Sequence, residues 1–336
     1  MIHNFLNKKH SLSNLSDKEF ENIVGKLSSE LEQNGFIYDS YENSILLKDF
    51  QSLCKKDVNN ITNINATSTV GMKIIKNFMH HFYDVQNHKK VSVHSLWKKD
   101  NLEKALRFNR KYHSTPYVSE IIRSLSFTNG LGKITIYRPL MAKMVVNHFK
   151  VKSVLDISIG WGGRLLGTKS VDENISYTGF EPCLKTYNSL CNIKSLLHLQ
   201  NVNIINKPSE IGLLELPLDI KFDMALTSPP YYNLEIYSDE KTQSHTYGNY
   251  ENWIDKFLRP VIDNVLLRVK YSCWSVKNFK SDKQYNLFDD ITKIHNENGW
   301  VILDIMFSMN NSKRPGASSD IKKSEEKTYV FVKKNI

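Results

Sequence analysis

From about residue 116 to the end of the chain, short runs of β-branched and aromatic residues alternate with stretches of helical periodicity. That alternation constrains the fold more than any other feature, because it predicts a parallel sheet with crossover helices, an α/β architecture. Strands are expected at 152–157 (KSVLDI), 176–181 (SYTGFE), 202–206 (VNIIN), 221–227 (KFDMALT), 270–276 (KYSCWSV), 300–307 (WVILDIMF) and 327–333 (KTYVFVK). Helices are expected between them, most clearly over 184–199 and 253–269, where apolar residues recur every three or four positions. Residues 309–326 (MNNSKRPGASSDIKKSEE) read as a polar loop.

Residues 1 to about 115 lack this alternation and read as a separate, mostly helical region, leaving 116–336 as the sheet domain. Ser16-Asp17-Lys18-Glu19 is a capping-box pattern ahead of Phe20, Ile23, Val24 and Leu27, and predicts a helix over 16–33. Apolar spacing predicts two more over 70–83 and 95–111, with their apolar stripes in the core.

Composition narrows the function classes. Long apolar runs and a secretory leader are both missing, so a cytoplasmic location is expected. Cys54, Cys183, Cys191 and Cys273 stand apart from one another without a C-x-x-C pair, which supports neither a metal site nor a disulfide framework. Forty-five Lys and Arg against 35 Asp and Glu give a formal charge of +10 and favour a polyanionic partner. The basic residues concentrate between His88 and Lys111, where Lys98, Lys104 and Arg107 are candidate phosphate contacts.

The first strand runs into VLDISIGWGGRLLG, so Asp156 is followed by a turn containing Gly160, Gly162 and Gly163. A glycine turn at the carboxyl end of a strand lets a ligand approach the backbone closely. A dinucleotide fingerprint would need glycine where Leu165 stands, and a phosphate-binding P-loop would need lysine where Thr168 stands. What is left is a turn flanked by Asp156 and by Glu181, at the end of the next strand and placed for a ribose diol. This arrangement suits an adenosine-containing ligand without a pyrophosphate.

The fourth strand runs into TSPPYYNLEIYS. Two consecutive prolines cannot continue a ladder and fix an extended, rigid backbone. Ser228 and the Pro229 carbonyl then stand as positioned acceptors for an exocyclic amine, with Pro230 stiffening the loop and the Tyr231 ring offering a stacking surface for an extruded base. The 232–252 loop that follows is rich in tyrosine, and Tyr232 is the expected base contact.

At this point the chain resembles the S-adenosylmethionine-dependent amino-methyltransferases of DNA, over roughly residues 125–336. That family joins a D-x-F-x-G-x-G-like motif to a [DNS]-P-P-[YFW] motif on a seven-stranded Rossmann-like class I methyltransferase domain. The resemblance implies S-adenosylmethionine as cofactor, held by Asp156, Ser158, Gly160, Trp161 and Gly162 of the turn and by Glu181 at the ribose. It implies further contacts from Tyr137, in KITIYRP ahead of the first strand, and from Ser209. Ser228, Pro229, Pro230 and Tyr231 become the catalytic loop. Ser158 replaces the family's usual phenylalanine, and Asn206-Lys207-Pro208-Ser209 lacks the acidic residue often found after the third strand.

The function so implied is methyl transfer to cytosine N4 or adenine N6 of a flipped base in DNA, as in restriction-modification systems, with serine in the catalytic motif leaning toward cytosine. No room lies between the two motifs for a recognition domain, so target contacts are expected from the basic N-terminal region, the 232–252 loop, or Lys313 and Arg314. The rivals are an RNA base methyltransferase and a catalytically silent DNA-binding subunit on the same fold.

Overall fold

A computed structural model describes residue 6 and residues 11–59, 68–112, 115–131, 135–308 and 326–334. All seven expected runs form strands: β1 (Ser153–Asp156), β2 (Ser176–Phe180), β3 (Val202–Ile205), β4 (Phe222–Thr227), β5 (Val269–Val276), β6 (Trp300–Phe307) and β7 (Lys327–Lys333). They make one seven-stranded sheet in the order β6-β7-β5-β4-β1-β2-β3. The pairs β1/β2, β2/β3, β1/β4 and β4/β5 are parallel, and β7 is antiparallel to both β5 and β6. The sheet is therefore Rossmann-like. Strand order reverses at β1, which opens a crevice between the carboxyl ends of β1 and β4.

Central strands carry near-continuous apolar runs because helices cover both of their faces. Val154, Leu155, Met224, Ala225, Leu226 and Cys273 are completely buried. At the outer edge β6 leaves Val301, Ile302 and Met306 exposed.

In the N-terminal region, α1 (Asp17–Gln33) begins at the expected capping box, with the Glu19 N–H donating to Ser16 Oγ and the Ser16 N–H to the Glu19 carboxylate at 2.8 Å. Its apolar stripe, Phe20, Val24, Leu27 and Leu31, packs in one core with Trp97, Leu102 and Leu106. The buried Trp97 indole N–H donates to the Leu31 carbonyl at 3.0 Å, so it loses no hydrogen bond on leaving water.

Packing does not change at residue 116. Helices α2 (Asn43–Lys55) and α3 (Met72–Phe78) place Leu46, Leu53, Ile74 and Ile75 in the core under the sheet, beside Val154, Leu165 and Met224. Conversely α5 (Val118–Thr128), beyond that residue, packs with α4 (Lys99–Lys111) and α1 through Ile121 and Leu125. The helix expected over 70–83 stops at Met79, whose φ of −109° and ψ of 49° are not helical, and a 3-10 turn over His80–Asp84 follows.

Helix α6 (Pro139–Phe149) leads into β1, and α7 (Gly163–Lys169), α8 (Leu184–Leu196) and α9 (Ser209–Glu215) follow β1, β2 and β3. The segment expected as a helix over 253–269 runs from Tyr250 to Leu266 and widens into a π turn at Ile254–Leu258. Pro260 lies just beyond that turn and lacks the N–H a regular turn would use. Helix α11 (Leu287–Glu297), numbered after α10 (Arg259–Leu266), precedes β6. Among the described residues no helix is long and apolar enough to cross a membrane.

Candidate active site

The glycine turn is built so that its backbone faces the crevice. Gly160 and Gly162 take left-handed φ values of 57° and 84°, which glycine adopts without a Cβ clash. At Gly163 a Cβ would stand 1.8 Å from the Tyr137 carbonyl oxygen, so only glycine admits the 135–138 segment against the turn. That approach brings Tyr137 to the wall of the cleft, where its hydroxyl lies 3.0 Å from Thr328 Oγ1. Lys133 of the same motif lies outside the described residues.

Beneath the turn sits Asp156, fully buried. Its carboxylate accepts Arg164 Nε at 2.8 Å and Nη2 at 3.2 Å, the Tyr177 hydroxyl at 2.6 Å and Thr227 Oγ1 at 3.2 Å. With both oxygens occupied and no exposed surface, Asp156 does not reach the cleft. The expected ligand contact is thus corrected: Asp156 acts as the anchor of Arg164, which also donates to the Ser158 carbonyl and lies over the Tyr137 ring. Gly162 is a second correction, since it turns toward Leu190 of α8 and does not line the cleft.

The remaining turn residues do face the cleft, a space of about 240 Å³ lined by Tyr137, Ser158, Gly160, Trp161, Glu181, Ser209 and the whole Ser228–Tyr231 unit. The two loops touch directly. Ser158 Oγ donates to the Ser228 carbonyl at 2.7 Å and lies 3.1 Å from Thr227 Oγ1. Phenylalanine could make neither contact, so both depend on serine at this position. Trp161 packs on the His81 and Phe82 rings, with centroids 5.2 and 5.3 Å away. Burial pushes His81 down to about 4, so the ring is neutral at physiological pH, and its Nε2 lies 2.9 Å from Thr186 Oγ1 on the cleft wall.

Glu181 immediately follows β2 at the cleft. Its Oε2 accepts the Gly160 N–H at 2.9 Å and its Oε1 the Cys183 N–H at 3.0 Å. Burial nonetheless pushes its carboxyl up to about 7, against those two backbone bonds. Each oxygen keeps a lone pair free for a ligand hydroxyl. Ser209 is buried at the start of α9, and beside it stands Glu210, in the first turn of the same helix. Glu210 Oε1 accepts the Tyr247 hydroxyl at 2.6 Å, while Oε2 is buried without a hydrogen-bond partner among the described residues.

On the far side, Tyr231 holds its ring edge-on to Phe279 at 5.3 Å, and its hydroxyl oxygen accepts the Lys277 N–H at 3.1 Å. Three residues that sequence reasoning passed over join this wall: Glu235, Lys277 and Glu326. Burial pushes Glu235 up to about 7, and Tyr237 donates its hydroxyl to that carboxyl. Glu326 immediately precedes β7, and burial raises its carboxyl above the ordinary range despite Lys277 nearby. No periodicity marks an acid at a strand start, so only the strand order could have drawn Glu326 to notice.

The nucleic-acid contacts expected from sequence fare differently. Tyr232 is not a surface aromatic: it is 6% exposed, donates its hydroxyl to the Gly248 carbonyl at 3.0 Å and packs among Tyr250, Trp253 and Tyr285. Its aromatic neighbours remove it from water and from the cleft wall, which corrects the expectation. Arg107 pairs with Glu21, at 2.9 Å through Nη2, and with Glu103 at 2.7 Å, so its charge serves the α1–α4 contact. Lys98 lies 3.7 Å from Glu32, and Lys104 is exposed. Neither lines the cleft. Lys313 and Arg314 lie outside the described residues.

No family model matches the sequence, and no curated protein matches it. Among solved structures, one similar fold is an S-adenosylmethionine-dependent methyltransferase from Clostridium acetobutylicum, at TM-score 0.41 and 11% identity, over 62% of this chain and 96% of that one. An S-adenosylmethionine-dependent O-methyltransferase from Thermotoga maritima gives 0.39 and 12%, over 63% and 71%. A ribosomal protein L11 methylase from Lactobacillus delbrueckii gives 0.38 and 14%, over 61% and 83%. Likeness this remote adds nothing to the geometry; the order and directions of the strands are themselves those of a Rossmann-like sheet.

Proposed function

We propose that the chain is an S-adenosylmethionine-dependent methyltransferase acting on an exocyclic amino group of a base in DNA, cytosine N4 or adenine N6. The observation that carries this reading is the Ser158–Ser228 hydrogen bond, which joins the glycine turn and the S-P-P-Y loop at one cleft.

The cleft residues fit the cofactor. Glu181 has free lone pairs for a ribose diol, and the partnerless Glu210 Oε2, beside Ser209, is an acceptor suited to an adenine amino group. Gly160, Trp161, Ser158 and Tyr137 complete that wall. When bound, S-adenosylmethionine supplies an electrophilic methyl group. Ser228 Oγ and the Pro229 carbonyl accept the two amine hydrogens and draw the nitrogen toward a tetrahedral shape, which frees its lone pair for attack. Tyr231 supports the extruded base from the side. After transfer the amine proton leaves toward solvent, and no covalent bond to the protein is formed. Lys104, Lys313 and Arg314 are assigned in this proposal to phosphate contacts, because Tyr232 and Arg107 are committed elsewhere.

Incubation with methyl-labelled cofactor and unmethylated duplex DNA, followed by digestion to nucleosides and mass spectrometry, tests the reading. N4-methylcytosine or N6-methyladenine is the expected product. Label appearing only in a hairpin RNA moves the same chemistry to RNA, and binding of DNA without any binding of cofactor in calorimetry leaves a silent subunit.

A further inference from the structure

Ser228 enters the proposed reaction as an acceptor, yet a serine hydroxyl has one proton as well as two lone pairs and can rotate to donate instead. Aspartate or asparagine at that position would present an acceptor oxygen without help. Serine needs a neighbour that claims its proton.

Strand β7 supplies one. It runs antiparallel to β5, with Thr328 opposite Ser275 and Lys327 opposite Val276, so its first end lies at the carboxyl ends of β4 and β5. Glu326, immediately before β7, therefore stands beside the catalytic loop. Its Oε1 accepts the Ser275 hydroxyl at 3.1 Å and the Ser228 hydroxyl at 3.4 Å. The second bond is the longer of the two.

Resting on the function proposed above, we infer that Glu326 is a positioning residue that accepts a hydrogen bond from the Ser228 hydroxyl and so leaves the Ser228 oxygen as an acceptor for the target amine. Ser275 holds the Glu326 carboxyl in register from the neighbouring strand. A carboxylate at the proton also increases the negative charge on Ser228 Oγ and strengthens the bond it accepts. The glutamate does in this chain, from β7, what an acidic first residue of the motif would do by itself.

A double-mutant cycle with Ser228→Ala and Glu326→Ala tests the assignment, using kcat on methylatable nucleic acid and cofactor affinity by calorimetry. Glu326→Ala is expected to lower kcat about tenfold, the value of one hydrogen bond to a charged group. Cofactor affinity stays unchanged, and the double variant is no slower than Ser228→Ala alone. A rescue arm, Ser228→Asp in the Glu326→Ala background, is expected to recover turnover, because aspartate accepts without a partner. A wild-type kcat in Glu326→Ala, or losses that multiply in the double variant, overturns the role of Glu326. Absence of transfer by the wild-type protein to any nucleic acid overturns the proposed function instead, so the two failures are separable.

Discussion

The Ser158 hydroxyl donates to the Ser228 carbonyl across 2.7 Å, from the turn after β1 to the loop after β4. This bond adds to the pairing of β1 with β4 and to the Thr227–Asp156 contact in holding the two loops together. Ser158→Ala is expected to leave the fold intact, since Asp156 and Arg164 still hold the turn, and to lower kcat about tenfold through a loosened catalytic loop. Single-turnover rates with saturating DNA check it. A variant with unchanged rate means the loops keep their spacing without the bond.

Ser228 itself is expected to be far more sensitive. In the proposed reaction Ser228→Ala removes an acceptor for the target amine, and turnover should fall about a hundredfold or more, with cofactor affinity nearly intact. Calorimetry alongside kcat separates the two quantities. Equal losses in both would place Ser228 in cofactor binding.

Asp156 and Glu181 were alike in sequence, two carboxylates at successive strand ends, and the structure separates their roles. Asp156→Ala leaves the Arg164 guanidinium buried without its partner and should cost about 3–5 kcal/mol of stability, read from urea unfolding. Glu181→Ala exposes no such charge and should instead weaken cofactor binding. A stable Asp156→Ala protein with lost cofactor affinity would return Asp156 to the ligand.

The seven strands were legible in the sequence because central strands need unbroken apolar runs and crossover helices need a different period. The Ser-Pro-Pro-Tyr loop and the glycine turn were legible because proline and glycine restrict the backbone wherever they occur. Tyr232 misled because a tyrosine after a proline pair is as well suited to a buried aromatic cluster as to a base, and only the fold brings Tyr250, Trp253 and Tyr285 around it. Arg107 misled for a related reason: its partner Glu21 is 86 residues away in the chain, so a local count of charge could not include it. The approach of α2 and α3 to the sheet was hidden likewise, since an amphipathic helix does not record which core its stripe joins.

Glu235 carries a pH signature that can be measured without cofactor or DNA. Its folded pKa of about 7 stands above the ordinary 4.5, with burial the largest cause, so the folded protein holds a proton that the unfolded chain releases. The stability this confers is complete below pH 4.5 and is lost as pH rises through about 7. Glu235→Gln keeps an oxygen for the Tyr237 hydroxyl and cannot ionise. The variant should match wild type in Tm at pH 4 and exceed it by several degrees at pH 8. Equal Tm at both values would mean that water reaches the Glu235 carboxylate.

The basic segment before residue 112 divides into two roles that charge reversal should separate. Arg107→Glu sets like charges beside Glu21 and Glu103 and should destabilise the α1–α4 contact, seen as a lower Tm. Lys104 is exposed and, among the described residues, makes no hydrogen bond or ion pair. Lys104→Glu should therefore keep Tm and weaken duplex binding, with the slope of log K against log salt reduced by about one. An unchanged slope in Lys104→Glu, with binding as tight as wild type, would take α4 out of the nucleic-acid interface and leave recognition to residues nearer the cleft.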